Sequence, residues 1–275
     1  MDDYLSYFQN FPNMTLNALL FYFLLGLMRI GPIVSMAPFL GAKLPAPVKM
    51  GLAISLTIIL LPMLVSTMTS PIGLDSYDMI VYGLKEFFIG IILGTIVGIP
   101  FYIAQSSGVL IDFLRGSSSL MVQDPIMQSQ VSSIGMLYNY VFIVLFFQIG
   151  GPFIFFNAVL HSYSLMPVDT FFNPTFFNLA QPLWQMILGL LTRFLTLSIQ
   201  LAAPSIVGIL MAEMFLGIAN RLAPQVQIAF LGMSIKSLLG IALLCAAWFF
   251  ILDQLSTQAL LWLTDLDNIL PALRQ

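Results

Sequence analysis

Long apolar stretches separated by short polar breaks make up most of the chain, and one polar stretch interrupts them differently. A bilayer core of about 30 Å asks for roughly 20 apolar helical residues. By that measure the pattern predicts six long helical segments, at 14–41, 50–69, 79–111, 134–160, 183–219 and 225–252, and a short amphipathic seventh at 255–264. The runs are far longer than the ten or so residues of a barrel strand and do not alternate, so strands are not expected. The charge-free run Phe87–Ile111 gives way to Asp112-Phe-Leu-Arg115-Gly116-Ser-Ser-Ser-Leu-Met-Val-Gln-Asp124-Pro125-Ile-Met-Gln-Ser-Gln130, and lipid-like sequence resumes at Met136. This insert, 112–135, is the strongest candidate for the working part of the molecule.

Composition sharpens the class. Hydrophobic residues make up 59% of the chain and charged residues 8%, against about 25% charge in a soluble domain. With a mean hydropathy of +0.98, the protein reads as integral to a membrane or buried in a membrane assembly. The net charge of -3 is too small to bear on nucleic acid, and no basic cluster exists to bind phosphate. The single cysteine, Cys245, lies in an apolar run, which excludes an intrachain disulfide and reads as a small hydrophobe. Met1-Asp2-Asp3 has no basic flank for a cleavable leader, so the first internal hydrophobic segment is expected to act as anchor.

Prolines fall in five of the long segments: Pro32 and Pro38, then Pro62, Pro100, Pro152 and Pro204. Each removes a donor and tends to kink its helix. The freed carbonyls are tolerated best inside protein, which favours burial against other protein; the commonness of proline in membrane helices is the plainer explanation. Gly90, Gly94 and Gly98 lie on one helix face and form a groove for a second backbone, either within the chain or from another subunit.

The few charges inside apolar segments are Arg29, Lys85, Glu86, Arg193, Glu213, Arg221 and Lys236. A charge at mid-bilayer costs about 2.5–3.5 kcal/mol on insertion scales, so each is expected near an interface, facing water or paired. Pairing or snorkelling is favoured over a proton relay. Glu213 and Arg221 are two turns apart and cannot pair directly, while the adjacent Lys85 and Glu86 point to different faces and each need another partner. Lys43, Lys49, Arg115 and Arg221 against acid-only loops place the basic connections in the cytoplasm and the N-terminus outside.

Catalytic patterns are missing. There is no phosphate-binding glycine loop, nucleophile elbow or His-Glu-x-x-His. His161 is the only histidine, a two-histidine metal site cannot be built, and Asp265 and Asp267 read as a solvated helix end. The chain is expected not to be an enzyme and to need no cofactor or metal.

Within the insert, Gly116 and Ser117, Ser118 and Ser119 are poor helix formers, Asp124-Pro125 signals a turn or helix start, and Met121 and Met127 suit an irregular apolar gap. Irregular backbone cannot lie among acyl chains, because each unpaired amide costs several kcal/mol. The segment is therefore an exposed loop at the water interface, or a re-entrant loop folded into a protein-lined cavity where it can block a pore.

A family resemblance adds to this. Gly83-Leu-Lys-Glu86-Phe-Phe-Ile-Gly90-Ile-Ile-Leu-Gly94, the insert with Asp112, Arg115-Gly116-Ser117, Asp124-Pro125 and Gln128-Ser-Gln130, and Phe146-Phe147-Gln-Ile-Gly150-Gly151 resemble the export-gate subunits of type III secretion, SctT in injectisomes and FliR in flagella. So do Glu213-Met-Phe-Leu-Gly217-Ile-Ala-Asn220-Arg221-Leu-Ala-Pro224-Gln225, Phe230-Leu-Gly232-Met-Ser-Ile-Lys236, and near the start Pro38-Phe39 and Pro45-Ala-Pro-Val-Lys49. The ordered set covers most of the chain. Arg-Gly-Ser, Gly150-Gly151 and Ser162-Tyr163 with Pro167 lean towards the injectisome branch, which implies a role in virulence; Phe113-Leu114 departs from the polar residues expected before the arginine.

The resemblance implies a hetero-oligomer in the bacterial inner membrane, in which one copy joins five copies of a second gate subunit and four of a third. It also implies a position raised towards the periplasm, an autocleaving switch subunit at the entrance, and unfolded secreted proteins as the cargo. The family's loop matching 112–130 plugs the closed pore. That assigns plugging or gating to Asp112, Arg115, Gly116, Ser117, Ser118, Ser119, Met121, Asp124, Pro125, Met127 and Gln130, with Arg115 placed to anchor the plug on an acid or carbonyl elsewhere in the gate.

The expected architecture is all-α: a hydrophobic, membrane-associated bundle of about six long, kinked helical segments with a re-entrant polar loop. It forms a single subunit domain over 1–275, with 112–135 as plug loop and 253–275 as C-terminal tail. Lys85, Glu86, Glu213, Arg221 and Lys236 are structural charges. The rival reading is a self-contained secondary transporter with Glu213, Arg193 and Arg29 lining a solute or proton path, although the halves show no internal repeat. An inert membrane scaffold is a third.

Overall fold

The apolar stretches fold as helices, since a helix satisfies every backbone polar group without water. The computed structural model describes residues 16–41, 44–67, 76–116, 122–123, 130–171, 182–222 and 228–269. Among these are eight α-helices: α1 (Leu16–Met36), α2 (Ala46–Ser66), α3 (Ser76–Leu114), α4 (Ser133–Gln148), α5 (Gly151–Leu165), α6 (Pro182–Leu222), α7 (Ile228–Ala246) and α8 (Trp248–Ile269). The all-α expectation holds, with one small addition. Val122–Gln123 (β1) and Gln130–Val131 (β2) pair antiparallel, Val122 opposite Val131 and Gln123 opposite Gln130.

Three predicted segments end earlier than hydropathy indicates. The first stops at Met36, and Pro38 opens a 3-10 turn, Pro38–Leu40, instead of kinking a continuous helix. The segment 134–160 is two helices: Gly150, with φ 76°, takes the left-handed conformation that glycine tolerates, and α5 begins with Pro152 in its first turn. Proline here starts a helix, because the donor it lacks is already an orphan at that position. The segment 225–252 breaks at Ala247, and α7 and α8 bend by 61°. The amphipathic piece at 255–264 lies within α8.

The chain divides into two compact units. One comprises 1–98, 150–187 and 263–275, the other 99–149 and 188–262. In the first, Ile30 and Val34 of α1 meet Ala53 of α2, flanked by Leu27, Leu40, Leu52, Leu56 and Leu60. Helix α5 buries Phe155, Ala158, Val159, Ser162 and Tyr163, one face at helical spacing, and Phe155 meets Phe39 edge-on at 5.0 Å. In the second, Phe101 of α3 stands edge-on to Phe142 and Phe146 of α4, at 4.9 and 5.2 Å.

Four of the described helices are each long and apolar enough to cross a membrane. Two broken pairs, α4 with α5 and α7 with α8, also qualify when each is taken together. Much apolar surface stays outward. On α6, Leu188, Leu191, Leu195 and Ile199 are each more than half exposed and lie along one stripe. Such a face needs lipid or a protein partner over it.

Candidate functional site

Helix α3 runs through the start of the polar insert, so Asp112 sits in its last turn and Gly116, with φ 82°, ends it. Asp112 is 1% exposed. Its Oδ1 accepts from Arg115 Nε at 2.8 Å and lies 2.8 Å from Arg115 Nη2. Its Oδ2 accepts from the Ser132 hydroxyl and from the Ile134 backbone N–H at 2.9 Å. Ser132 is the N-cap of α4, and its Oγ also accepts from Gly135 N at 2.9 Å. One carboxylate thus holds both sides of the insert's root, and its negative charge lies at the positive end of α4. Within the chain the partner of Arg115 is Asp112, one turn back on its own helix.

Gln130 belongs to β2, paired with Gln123. Ser117, Ser118, Ser119, Met121, Asp124, Pro125 and Met127, the rest of the predicted plug, lie outside the described residues. So do Lys43, Asp2 and Asp3.

A second polar cluster lies in the other unit. Arg29 of α1 and Glu86 of α3 are both 0% exposed. Arg29 Nη2 donates to Glu86 Oε1 at 2.9 Å and to the Met166 carbonyl at 2.8 Å, while Nε donates to Glu86 Oε2 and Nη1 to Ser162 Oγ at 3.2 Å. The guanidinium carbon lies 4.1 Å from the centroid of the Tyr163 ring. A planar fork can fill such a set of acceptors where a lysine could not. Lys85 Nζ donates to the carbonyls of Pro167, Val168 and Thr170, each at 2.9 Å.

Each neighbour thus has the further partner the sequence asks for, Arg29 for Glu86 and the three carbonyls for Lys85, and in addition Lys85 lies 2.9 Å from Glu86 Oε1. The flexible lysine stem curls back, so one carboxylate serves both cations. Sequence reasoning singled out Ser162, Tyr163 and Pro167 only as family-like positions and missed that they, with the carbonyls of Met166, Val168 and Thr170, surround these charges. The available signal was that two isolated opposite charges, Arg29 and Glu86, each interrupt an apolar helix.

Glu213 of α6 pairs with Lys236 of α7 at 2.6 Å, both partly exposed. Arg221 is exposed in the last turn of α6, where a cation faces unpaired carbonyls. Arg193 Nη2 donates to Gln258 Oε1 at 3.5 Å, and its guanidinium lies 5.1 Å from the Trp262 ring centroid. His161 is exposed beside Ser164. Among the described residues no group of three or more His, Cys, Asp or Glu could hold a metal ion.

Gly90 and Gly94 meet the backbone of α1. A Cβ at Gly90 would collide with the Arg29 carbonyl, and one at Gly94 would lie 3.2 Å from Ile33 Cα. Gly98 is buried. In the second unit, Gly108 and Gly135 bring α3 and α4 together: a Cβ at Gly108 would lie 2.6 Å from Gly135 Cα.

Comparison with known proteins adds an independent line. Residues 20–260 match the bacterial export proteins, family 1. Yop proteins translocation protein T of Yersinia pestis is 28% identical over 205 residues, covering 74% of this chain and 77% of that protein. Secretion system apparatus protein SsaT of Salmonella typhimurium is 29% identical over 203 residues, 73% of this chain and 74% of its own. The flagellar biosynthetic protein FliR of Escherichia coli K12 is 24% identical over 225 residues, 80% and 81% of the two chains.

Proposed function

The chain belongs to the bacterial export proteins, family 1, and on that premise we propose that it is a structural and gating subunit of a type III protein-export channel in the bacterial inner membrane. Its polar insert occludes the conduit when the channel is closed, and unfolded secreted proteins pass when the insert moves. The single observation that carries this reading is the root of the insert, a polar excursion gripped by the buried Asp112 between two apolar helices. An ordinary surface loop has no need of a buried carboxylate bonded to both of its sides.

The partners under this reading are two other gate subunits, in five and four copies, and an autocleaving switch subunit, with the assembly raised towards the periplasm. The broad outward apolar faces support solvation by protein partners as well as lipid. The chain catalyses no reaction. The resemblance to Yop translocation protein T and SsaT, with higher identity than to FliR, favours the injectisome branch.

The transporter reading asks Arg29 and Glu213 to serve a solute. Each is already ion-paired, Arg29 with four hydrogen bonds to three residues, which supports a structural role instead. Native mass spectrometry of the gently solubilised protein tests the assignment. The gate reading expects a hetero-oligomer with unequal copy numbers; a lone monomer or homodimer contradicts it.

A further inference from the structure

We infer that Asp112 is a positioning residue that fixes where the insert leaves and rejoins the helices, so that the seal depends on Asp112 even when the gate is fully assembled. The inference rests on the gating role proposed above for the insert.

The geometry divides the carboxylate's work. Oδ1 holds the outgoing side through Arg115, and Oδ2 holds the returning side through Ser132 and the Ile134 N–H. A neutral side chain could accept at the α4 N-terminus, but it would leave the Arg115 guanidinium, 12% exposed, without its carboxylate. The support beneath is stiff. Gly108 and Gly135 bring the two backbones too close for any Cβ at Gly108, and a Cβ at Gly135 would lie 3.0 Å from the Gln105 carbonyl. On a third side, the space over Gly240 of α7 accommodates Arg115, whose Cβ would be 3.6 Å from a Cβ there. The close backbones of Gly108 and Gly135 thus hold the two helices on which Asp112 bonds both sides of the insert's root.

A purely structural aspartate would lower assembly when removed. A positioning residue lets the gate assemble and leaves it leaky. The test uses the full gate complex with Asp112→Ala, Asp112→Glu and a deletion of Gly116–Gln123. Three quantities are read: the yield of assembled complex, small-ion leakage across the membrane holding it, and amide exchange at Ile134 and Gly135.

Asp112→Ala is expected to assemble at wild-type yield and to exchange the Ile134 amide about ten- to hundred-fold faster, as loss of its charged hydrogen bond implies, with the Gly135 amide, bonded to Ser132, as the neighbouring reference. It is also expected to leak as the deletion does, with Asp112→Glu restoring most of the tightness. Faster exchange with no leak, while the deletion leaks, overturns the positioning role and leaves the gating role standing. If the deletion itself stays tight, the gating reading fails, and unchanged exchange in Asp112→Ala then overturns the clamp as well. Should Asp112→Ala reduce yield, the pair Ser132→Ala with Ile134→Pro, which removes both returning-side donors and leaves Asp112 paired with Arg115, is read in its place: a leak supports the inference and a tight complex overturns it.

Discussion

Arg29 and Glu86, 57 positions apart in the chain, face each other with two hydrogen bonds at 0% exposure. Desolvating two charges is expensive, and their attraction offsets that cost only where the remaining donors are satisfied. Here Ser162 and the Met166 carbonyl take the other donors. The pair ties α1 to α3 and, through Met166, to the chain beyond α5.

Breaking one side leaves a buried charge without its counterion. Arg29→Met or Glu86→Gln is expected to destabilise the protein by about 3–5 kcal/mol. The double variant Arg29→Met with Glu86→Gln should lose less than the two single losses summed. Thermal denaturation of the purified complex checks this; additive losses would contradict the pairing.

Lys85 holds the segment after α5 through three carbonyls. Lys85→Met removes a charged donor from all three, for an expected loss of about 1.5–3 kcal/mol. The effect should be local, seen as faster proteolytic nicking between 166 and 171. Cleavage at the wild-type rate would show that the carbonyls do not depend on Lys85.

Glycines on one helix should differ sharply. Gly90→Ala presses a methyl group into the Arg29 backbone and is expected to cost about 1–3 kcal/mol. Gly83→Ala, with nothing within 4 Å of the new carbon, is expected to be neutral or to gain up to about 1 kcal/mol of helix propensity. Matched melting curves decide; equal effects would contradict the close α1–α3 approach.

Much of the fold could be read from the chain because hydropathy reports directly on burial in an apolar medium. The segment 183–219 became the single helix Pro182–Leu222. Averaged hydropathy is blind to short breaks: Gly150, between Gln148 and Gly151-Pro152, and Ala247, in an apolar run, each lie inside one predicted segment, yet a helix ends beside each. The site was legible as a place and not as a geometry. Asp112, Arg115 and Gly116 stood out as polar residues after an apolar run, whereas Ser132, an ordinary serine by composition, is bonded to Asp112 only because α4 returns there. The need of Lys85 and Glu86 for separate partners was legible, while their direct pair was not, since a helical wheel ignores the reach of a lysine stem.

Glu213 and Lys236 form a partly exposed pair amid outward Met211, Met214, Phe215 and Leu238. Exposed ion pairs contribute about 0–1 kcal/mol, so Glu213→Lys should leave the chain's own melting temperature nearly unchanged. Export should fall, because like charges would face a partner across that surface, and the swap with Lys236→Glu should restore it. Normal secretion by Glu213→Lys at normal protein levels would return the pair to a passive role.

The central claim is that the insert closes a conduit shared with partner subunits. Its most direct test is small-ion leakage through assembled gates lacking Gly116–Gln123. Intact assembly with leakage well above that of wild type is expected; a correctly assembled gate that remains as tight as wild type would contradict a plugging insert.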